Sequence, residues 1–459
     1  MITLRYDRQL RIHGWNQDRI AKLKVGVIGG DYGAFYTLLP LVSMGVGEHG
    51  EIRILASKIN RARLLDMKIN LESDLIEVLS RVNPLVKNSI RYFRIDLIRE
   101  ELKLFLKDLD IVIDTTNDPT SKAVALLYAV ENRAKYISFS TMPCYGRLNI
   151  IWENNSIDLS EIDFNFFMPE FKQTQQEELM SMLFGGIAAS SISNYAANKR
   201  QQNDEVIYNS LSEDRLTPPS TRDFPQLLLK YVHRDPALAD FSPYRVVMIG
   251  AGALGNPVAI ALSKIRIGEL IIIDYDIVEE TNLNRQYCFY DSVNKPKANA
   301  LAEKVLRMSG GETKAIPVKE KFTLDKALNG DLAKYFRNAD LILALVDNFD
   351  ARADAADLAE QLGIPLISAG TSPFTGHVAV YLPRETKNLN EVMKYREHAK
   401  TTDRLRCIEV HEPSVVTSNQ VIGALVALEA IKILKPQIFG KPLDKPLTYY
   451  SYLRRRFEV

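Results

Sequence analysis

The sequence is poor in cysteine, poor in net charge and free of long apolar runs, and each shortage excludes something. Three cysteines among 459 residues, Cys144, Cys288 and Cys407, cannot build a disulfide framework, and no C-x-x-C pair is present to hold a structural zinc. Any cysteine chemistry therefore rests on a single thiol. With 58 basic and 57 acidic residues the net charge is +1, so nothing marks a bulk polyanion such as nucleic acid as a partner. No stretch of 18 uncharged apolar residues occurs, and the first 30 residues hold Arg5, Arg8 and Arg11 without the apolar run of a signal peptide. The expectation is a cytoplasmic protein with neither a membrane span nor a nucleic-acid partner. Hydrophobic residues at 46% and charged residues at 25% are those of a globular chain, and the length leaves room for two or three domains.

What the chain does have is a repeat. "LKVGVIGG" (23–30) and "YRVVMIG" (244–250) are apolar, β-rich runs ending at glycine, as buried parallel strands do. Each leads through a helix-like stretch to a second such run, "GEHGEIRILA" (47–56) or "IGELIIID" (267–274). "LDIVIDTTND" (109–118) then matches "ADLILALVDN" (339–348), and "AKYISFSTMP" (134–143) matches "GIPLISAGTS" (363–372). Each half closes on a helix opening with small residues, "GGIAASSISNYAANK" (185–199) and "IGALVALEAIKIL" (422–434). Strands alternating with helices predict an α/β fold of two Rossmann-like, doubly wound domains in tandem. The polar, proline-bearing stretch from about 202 to 242 reads as a linker, which sets expected domains of 1–205 and 243–459 joined through 206–242.

The second copy has the parts of a nucleotide site. Gly250, Ala251, Gly252, Ala253, Leu254 and Gly255 follow a strand and open a helix, where glycine lets backbone N–H groups and a helix N-terminus approach a phosphate. Asp274 ends the second strand, placed to accept hydrogen bonds from a ribose. Those residues alone fit a nicotinamide dehydrogenase as well as a user of ATP. Downstream, Asn282, Arg285 and Lys297 form a dense polar and cationic set, which a triphosphate requires and a dinucleotide does not. Asp347 and Asn348 end "LILALVDN" at the carboxyl edge of the sheet, where one carboxylate beside phosphates anchors Mg2+; a helix cap is the plainer role for such an Asp. In the first copy Asp31 and Ala34 replace the later glycines, while Ala56, Lys58 and Asn117 stand for Asp274, Asp276 and Asp347. A carboxylate where phosphate would lie repels it.

The combination of "GAGALG", "IIIDYD", "TNLNRQ", "NKPK" and "LVDN" resembles the adenylation domain shared by ubiquitin-activating enzymes and the bacterial enzymes that activate the sulfur carriers of thiamine and molybdopterin synthesis. The resemblance implies that Asp274 binds ribose, Asn282 and Arg285 the phosphates, Lys297 the phosphate under attack, and Asp347 the Mg2+. "RYDRQLRIHGWNQDRIAKLK" (5–24) resembles the opening of an adenylation half whose arginine reaches into its partner's site; here that arginine is Arg8. The whole chain then resembles a fusion of an inactive and an active half, an intrachain pseudo-dimer and hence a monomer. Its implied function is ATP-dependent activation of a small β-grasp, ubiquitin-like protein ending in glycine, with a conjugating enzyme as a further partner. Cys407, in "TTDRLRCIEVHEPSVVTSNQVIG" (401–423), is the expected thioester cysteine, with Arg404 and Arg406 able to depress its pKa. The expectation is a departure from the family in three respects: no large cysteine domain, no C-terminal ubiquitin-fold domain and no zinc cysteines. A sulfur-carrier adenylyltransferase and a non-catalytic nucleotide-binding scaffold are the alternatives.

Overall fold

The computed structural model describes residues 4–95, 101–152, 175–216, 239–403, 412–452 and 457–458. Two sheets of matching topology carry the chain. The first contains β1 (Lys24–Ile28), β2 (Glu51–Ala56), β3 (Ile90–Arg94), β4 (Ile111–Asp114), β5 (Lys135–Thr141), β6 (Tyr145–Ile151) and β7 (Asp204–Asn209), ordered β3-β2-β1-β4-β5-β6-β7. The second contains β8 (Arg245–Ile249), β9 (Glu269–Ile273), β10 (Lys314–Val318), β11 (Leu341–Ala344), β12 (Leu366–Thr371), β13 (Thr375–Tyr381), β14 (Leu447–Tyr450) and β15 (Phe457–Glu458), ordered β10-β9-β8-β11-β12-β13-β14-β15. In both, the first five strands of the order are parallel and the rest antiparallel. The central strands β1, β4, β8 and β11 are buried almost throughout, because helices cover both faces, and this is why they read as continuous apolar runs.

Strand register makes the repeat exact in space. Ile28 lies opposite Leu55 and Asp114, as Ile249 lies opposite Ile273 and Ala344. One residue beyond each pairing, Ala56 therefore occupies the place of Asp274, and three residues beyond, Asn117 that of Asp347. The α/β architecture read from the sequence is the one observed.

Six helices matter for the site: α1 (Tyr32–Ser43), α2 (Gln175–Ala196), α3 (Gly255–Lys264), α4 (Lys297–Met308), α5 (Phe349–Leu362) and α6 (Val416–Leu434). The closing helices α2 and α6 start earlier than the small-residue runs suggested, since the apolar residues before Gly185 and Ile422 also turn inward. They pack on each other, α2 also on α1 and α6 also on α3, so one apolar core containing Phe35, Ile187, Val258 and Leu425 runs through both halves. Helix α6 is long and apolar enough to cross a membrane by length and composition, yet 94% of that window is buried inside the protein. Its contacts are close. A Cβ on Gly186 would lie 2.9 Å from Val421, and one on Gly423 would lie 2.6 Å from the Pro257 ring. Gln420 donates from Nε2 to the carbonyls of Tyr36 (2.7 Å) and Met182 (3.0 Å), tying α6 to two helices of the first half. Gly423→Ala is expected to destabilise the chain by about 1–3 kcal/mol through overpacking against a rigid ring, read as a lower midpoint of urea unfolding.

The expected boundary at residue 205 is corrected by β7, which spans it and pairs antiparallel with β6. Val206 and Tyr208 are buried, and the polar residues around them hid the two-residue alternation. Beyond β7, Arg215 forms a buried ion pair with Glu429 of α6 at 3.1 Å, and Lys432 meets the same carboxylate at 2.9 Å. The first part of the expected linker is thus fastened to α6 of the second half.

Candidate functional site

The loop after β8 separates two uses of glycine. Gly250 has φ +102°, and a Cβ there would lie 2.6 Å from the Leu345 carbonyl oxygen; a Cβ on Gly255 would lie 2.4 Å from the Gly250 oxygen. Packing alone requires both. Gly252 has nothing within 4 Å of where a Cβ would stand, so its backbone faces open space that a phosphate can enter. Ala253 follows it, half-buried on the same loop. Helix α3 starts with no side-chain cap; in its first turn the Asn256 N–H donates to the Gly252 carbonyl at 3.1 Å and Pro257 has no N–H. Asn256, unforeseen in the sequence, braces the loop: its Nδ2 donates to the carbonyls of Ala251 (3.1 Å) and Gly252 (3.0 Å), and its Oδ1 accepts from the Cys288 amide (3.0 Å).

Asp274 accepts the Ala251 N–H at 2.7 Å on one oxygen and the Asp276 N–H at 2.8 Å on the other. Burial raises its pKa, and the carboxylate retains about two of its roughly four acceptor positions for a ligand. Lys297 is the first residue of α4, and its Nζ meets Asp276 Oδ2 at 2.7 Å. Asp276, which the first copy replaces by Lys58, is placed between the ribose candidate and the lysine.

Asn282 is buried, and its Oδ1 accepts the Glu279 N–H at 3.0 Å, which shapes the turn leading to Arg285. Arg285 donates to the Thr281 carbonyl (2.7 Å) and to Asn284 Oδ1 (3.2 Å). Burial first, and then the positive charge of Arg8, push its pKa down to about 9, against the opposing pull of Asp7, Glu279 and Asp347. Arg8 arrives from the other half. Its segment is held by Gln9, whose Nε2 donates to the Met44 carbonyl (2.9 Å) and whose Oε1 accepts from Asn284 Nδ2 (3.1 Å). Burial likewise lowers the pKa of Arg8; its Nε is buried without a hydrogen-bond partner among the described residues, with Asp7 3.9 Å away. The structure thus gathers Arg8, Arg285 and Asp347 into one electrostatic group. Two partly desolvated guanidinium groups repel each other, and an anion between them relieves that cost.

Asp347 itself is exposed, and it does not cap α5. Asn348 does, accepting the Ala351 N–H on Oδ1 at 2.8 Å, so the helix-cap role belongs to the neighbour expected at the nucleotide. A lone exposed carboxylate suits a hard cation that keeps water and phosphate oxygens as its other ligands. Among the described residues no group of three or more His, Cys, Asp or Glu side chains could hold a metal by itself. Arg352, in the first turn of α5, was also unforeseen. It donates to the carbonyls of Ala369 (2.6 Å) and Val346 (2.5 Å), fixing the residue before Asp347 against β12. Lys122 takes its place in the first half and donates to the Phe139 carbonyl at 2.9 Å, so a cation there belongs to the frame of both halves. His377, beside Arg352, is neutral: burial and that arginine lower its pKa to about 4.

The same loop in the first half is closed by the protein. Asp31 caps α1, accepting the Gly33 N–H at 3.1 Å, and burial raises its pKa. A Cβ on Gly30 would lie 2.1 Å from the Lys58 carbonyl oxygen, and the Asn60 N–H donates to the Gly30 carbonyl at 2.7 Å. Asn117 is satisfied within the sheet by the Thr141 backbone, at 3.1 and 3.2 Å. Of the cysteines, burial raises Cys144 to about 12 and Cys288 higher still, so neither is a thiolate at neutral pH. Cys407, with Arg404 and Arg406, lies outside the described residues.

The model of the family described as ThiF matches residues 225–459, more than half of the chain. The chain belongs to the ThiF family. Within it, the SAMP-activating enzyme E1 of Haloferax volcanii is 29% identical over 216 residues, 47% of this chain and 75% of that one. A sulfur carrier protein adenylyltransferase of Thermus thermophilus is 30% identical over 225 residues, 46% of this chain and 76% of that one. The adenylyltransferase and sulfurtransferase MOCS3 of Arabidopsis thaliana is 31% identical over 219 residues, 47% of this chain but only 44% of its own length.

Proposed function

We propose that this ThiF-family chain is an ATP-dependent activating enzyme that adenylates the C-terminal glycine of a small ubiquitin-like protein and then takes the acyl group onto Cys407 as a thioester. One observation carries the reading: an open phosphate loop at Gly252 stands with a cation pair that is completed from the other half by Arg8. The names of the relatives support the adenylation step.

In this reading Asp274 accepts from the ribose hydroxyls and the Gly252 loop lies along the phosphates. A carboxylate oxygen of the carrier attacks the α-phosphorus of ATP, the bond from that phosphorus to the bridging oxygen breaks, and pyrophosphate leaves with the electron pair. Arg8, Arg285 and Lys297 stabilise the charge that moves onto the leaving group, so positioning and preorganised charge do most of the work. Asp347 would hold Mg2+ together with phosphate oxygens, which neutralises part of the triphosphate. The Cys407 thiolate then attacks the carbonyl carbon and expels AMP. The first half, its loop closed by Asp31 and Lys58, binds no nucleotide and serves as the structural partner that supplies Arg8. The chain works as a cytoplasmic monomer, and a conjugating enzyme receives the thioester.

A second reading, sulfur-carrier activation, is favoured by the Thermus relative, of which the chain covers 76%. The two share the adenylate and differ in its fate. Exchange of labelled pyrophosphate into ATP, dependent on a ubiquitin-like protein of the same cell, is expected for wild type and for Cys407→Ala alike. A reducible carrier adduct is expected in wild type only. Exchange without an adduct selects the sulfur-carrier reading, and no exchange with any carrier leaves a nucleotide-binding scaffold.

A further inference from the structure

The passage that leaves β9 carries Asp276, Arg285 and Lys297, while the matching passage that leaves β2 has a different shape. It forms a short hairpin, Ala62–Leu64 against Met67–Ile69, reversing at Leu65 with φ +52° and bearing Asp66 at its tip. Leu64 and Leu65 are buried in the core, while Asp66 reaches the other half. Asp66, with its side chain 5% exposed, accepts from Tyr290 Oη at 3.0 Å on one oxygen and from Lys304 Nζ at 3.1 Å on the other. Lys304 is buried as well; it also meets Asp291 at 2.9 Å and sits 3.9 Å from the centre of the Tyr290 ring. Arg63 of the same hairpin donates to the Arg307 carbonyl at 2.6 Å, Arg307 reaches Asp66 at 3.4 Å, and Lys264 of α3 donates to the Arg63 carbonyl. The hairpin therefore holds two things at once: the end of the segment that contains Arg285, and the last turns of α4.

Helix α4 begins at Lys297, and Lys304 lies about two turns further on, along the same stripe of the helix. A helix is stiff along its axis, so fixing Lys304 fixes where Lys297 starts. We propose that the hairpin of the first half is a positioning device for the site of the second, acting through the buried Asp66–Lys304 pair on Lys297 and on the Arg285 segment. Asp66 touches no reacting atom; it is a positioning residue, and this role rests on the adenylation reading only for its effect on rate. The partner half then contributes twice to the site, once as a charge through Arg8 and once as a buttress through Asp66.

The test uses the full-length chain with Asp66→Asn, which keeps the shape and the Tyr290 hydrogen bond but removes the charge. Asp66→Glu serves as the conservative partner. Carrier-dependent pyrophosphate exchange is expected to fall in kcat by up to roughly 100-fold in Asp66→Asn, with KM for ATP little changed and partial recovery in Asp66→Glu, as a small misplacement of a reacting group does. In a Lys297→Ala background, Asp66→Asn is expected to cost less than it does in wild type, because one of the two groups that it positions is already removed. Full additivity there, or a lower unfolding temperature with kcat unchanged, overturns the proposal. Amide hydrogen exchange is followed in parallel, without carrier. Faster exchange across residues 285–308 with β8 unchanged is expected, and exchange unchanged across 285–308 overturns the proposal even if the wild type activates no carrier. A failure of the hairpin's role is thereby told apart from a failure of the adenylation reading.

Discussion

Replacing Arg8 by alanine is expected to slow carrier-dependent pyrophosphate exchange on the order of 10³-fold, about 4 kcal/mol of transition-state stabilisation, although Arg8 belongs to the half with the closed loop. The expectation comes from the group it joins. Burial first, and then the charge of Arg8, push Arg285 down to about 9, burial lowers Arg8 as well, and Asp7, Glu279 and Asp347 act on both. A site that tolerates such repulsion in its resting state gains most when negative charge builds up on a departing pyrophosphate. Removing Arg8 also removes the repulsion, so folding stability is expected to stay level while kcat drops. Unchanged kinetics in Arg8→Ala, with Arg285→Ala still inactive, would falsify the cross-half arginine.

Asp347→Ala has the second large effect. The carboxylate is exposed, and the neighbouring Asn348 caps the helix, so its loss costs the fold within about 0.5 kcal/mol. Exchange is expected to fall on the order of 10³-fold, as loss of a principal charge-stabilising group does. Binding moves the other way. Asp347 opposes the charge of Arg8 and Arg285, so its removal leaves the site more positive, and metal-free ATP is expected to bind more tightly in calorimetric titration. Weaker metal-free binding together with lost exchange would show that Asp347 holds the loop rather than a cation.

Both variants were visible in the sequence, and the reason is instructive. Gly250 and Gly255 are dictated by backbone geometry, which leaves a residue-type signature wherever the chain must turn or approach itself closely. The repeat is legible for a related cause: buried parallel strands admit only apolar residues, so β1 and β8 spell nearly the same run. What stayed hidden depends on distance in space. Asn256 and Arg352 act on backbone brought near by folding, and an isolated Asn or Arg on a helix carries no pattern of its own. Strand β7 was missed because its buried Val206 and Tyr208 lie between polar residues, Asp204 and Glu205 before them and the buried Asn209 after. The hairpin at 62–69 could not be assigned at all, since its importance lies in what the other half presents to it.

Asp31 gives the first half a carboxyl group of its own, covalently attached and always present. Two equivalent subunits meeting about a twofold axis offer two identical vacancies, and each can sense the filling of the other. Here one vacancy is filled for good by the chain that forms it. On the proposed reading the stoichiometry is one nucleotide per polypeptide, and alternation between equal sites has no place within a single chain. The Arg8 segment, freed from guarding a site of its own, can be shaped entirely for its neighbour's chemistry.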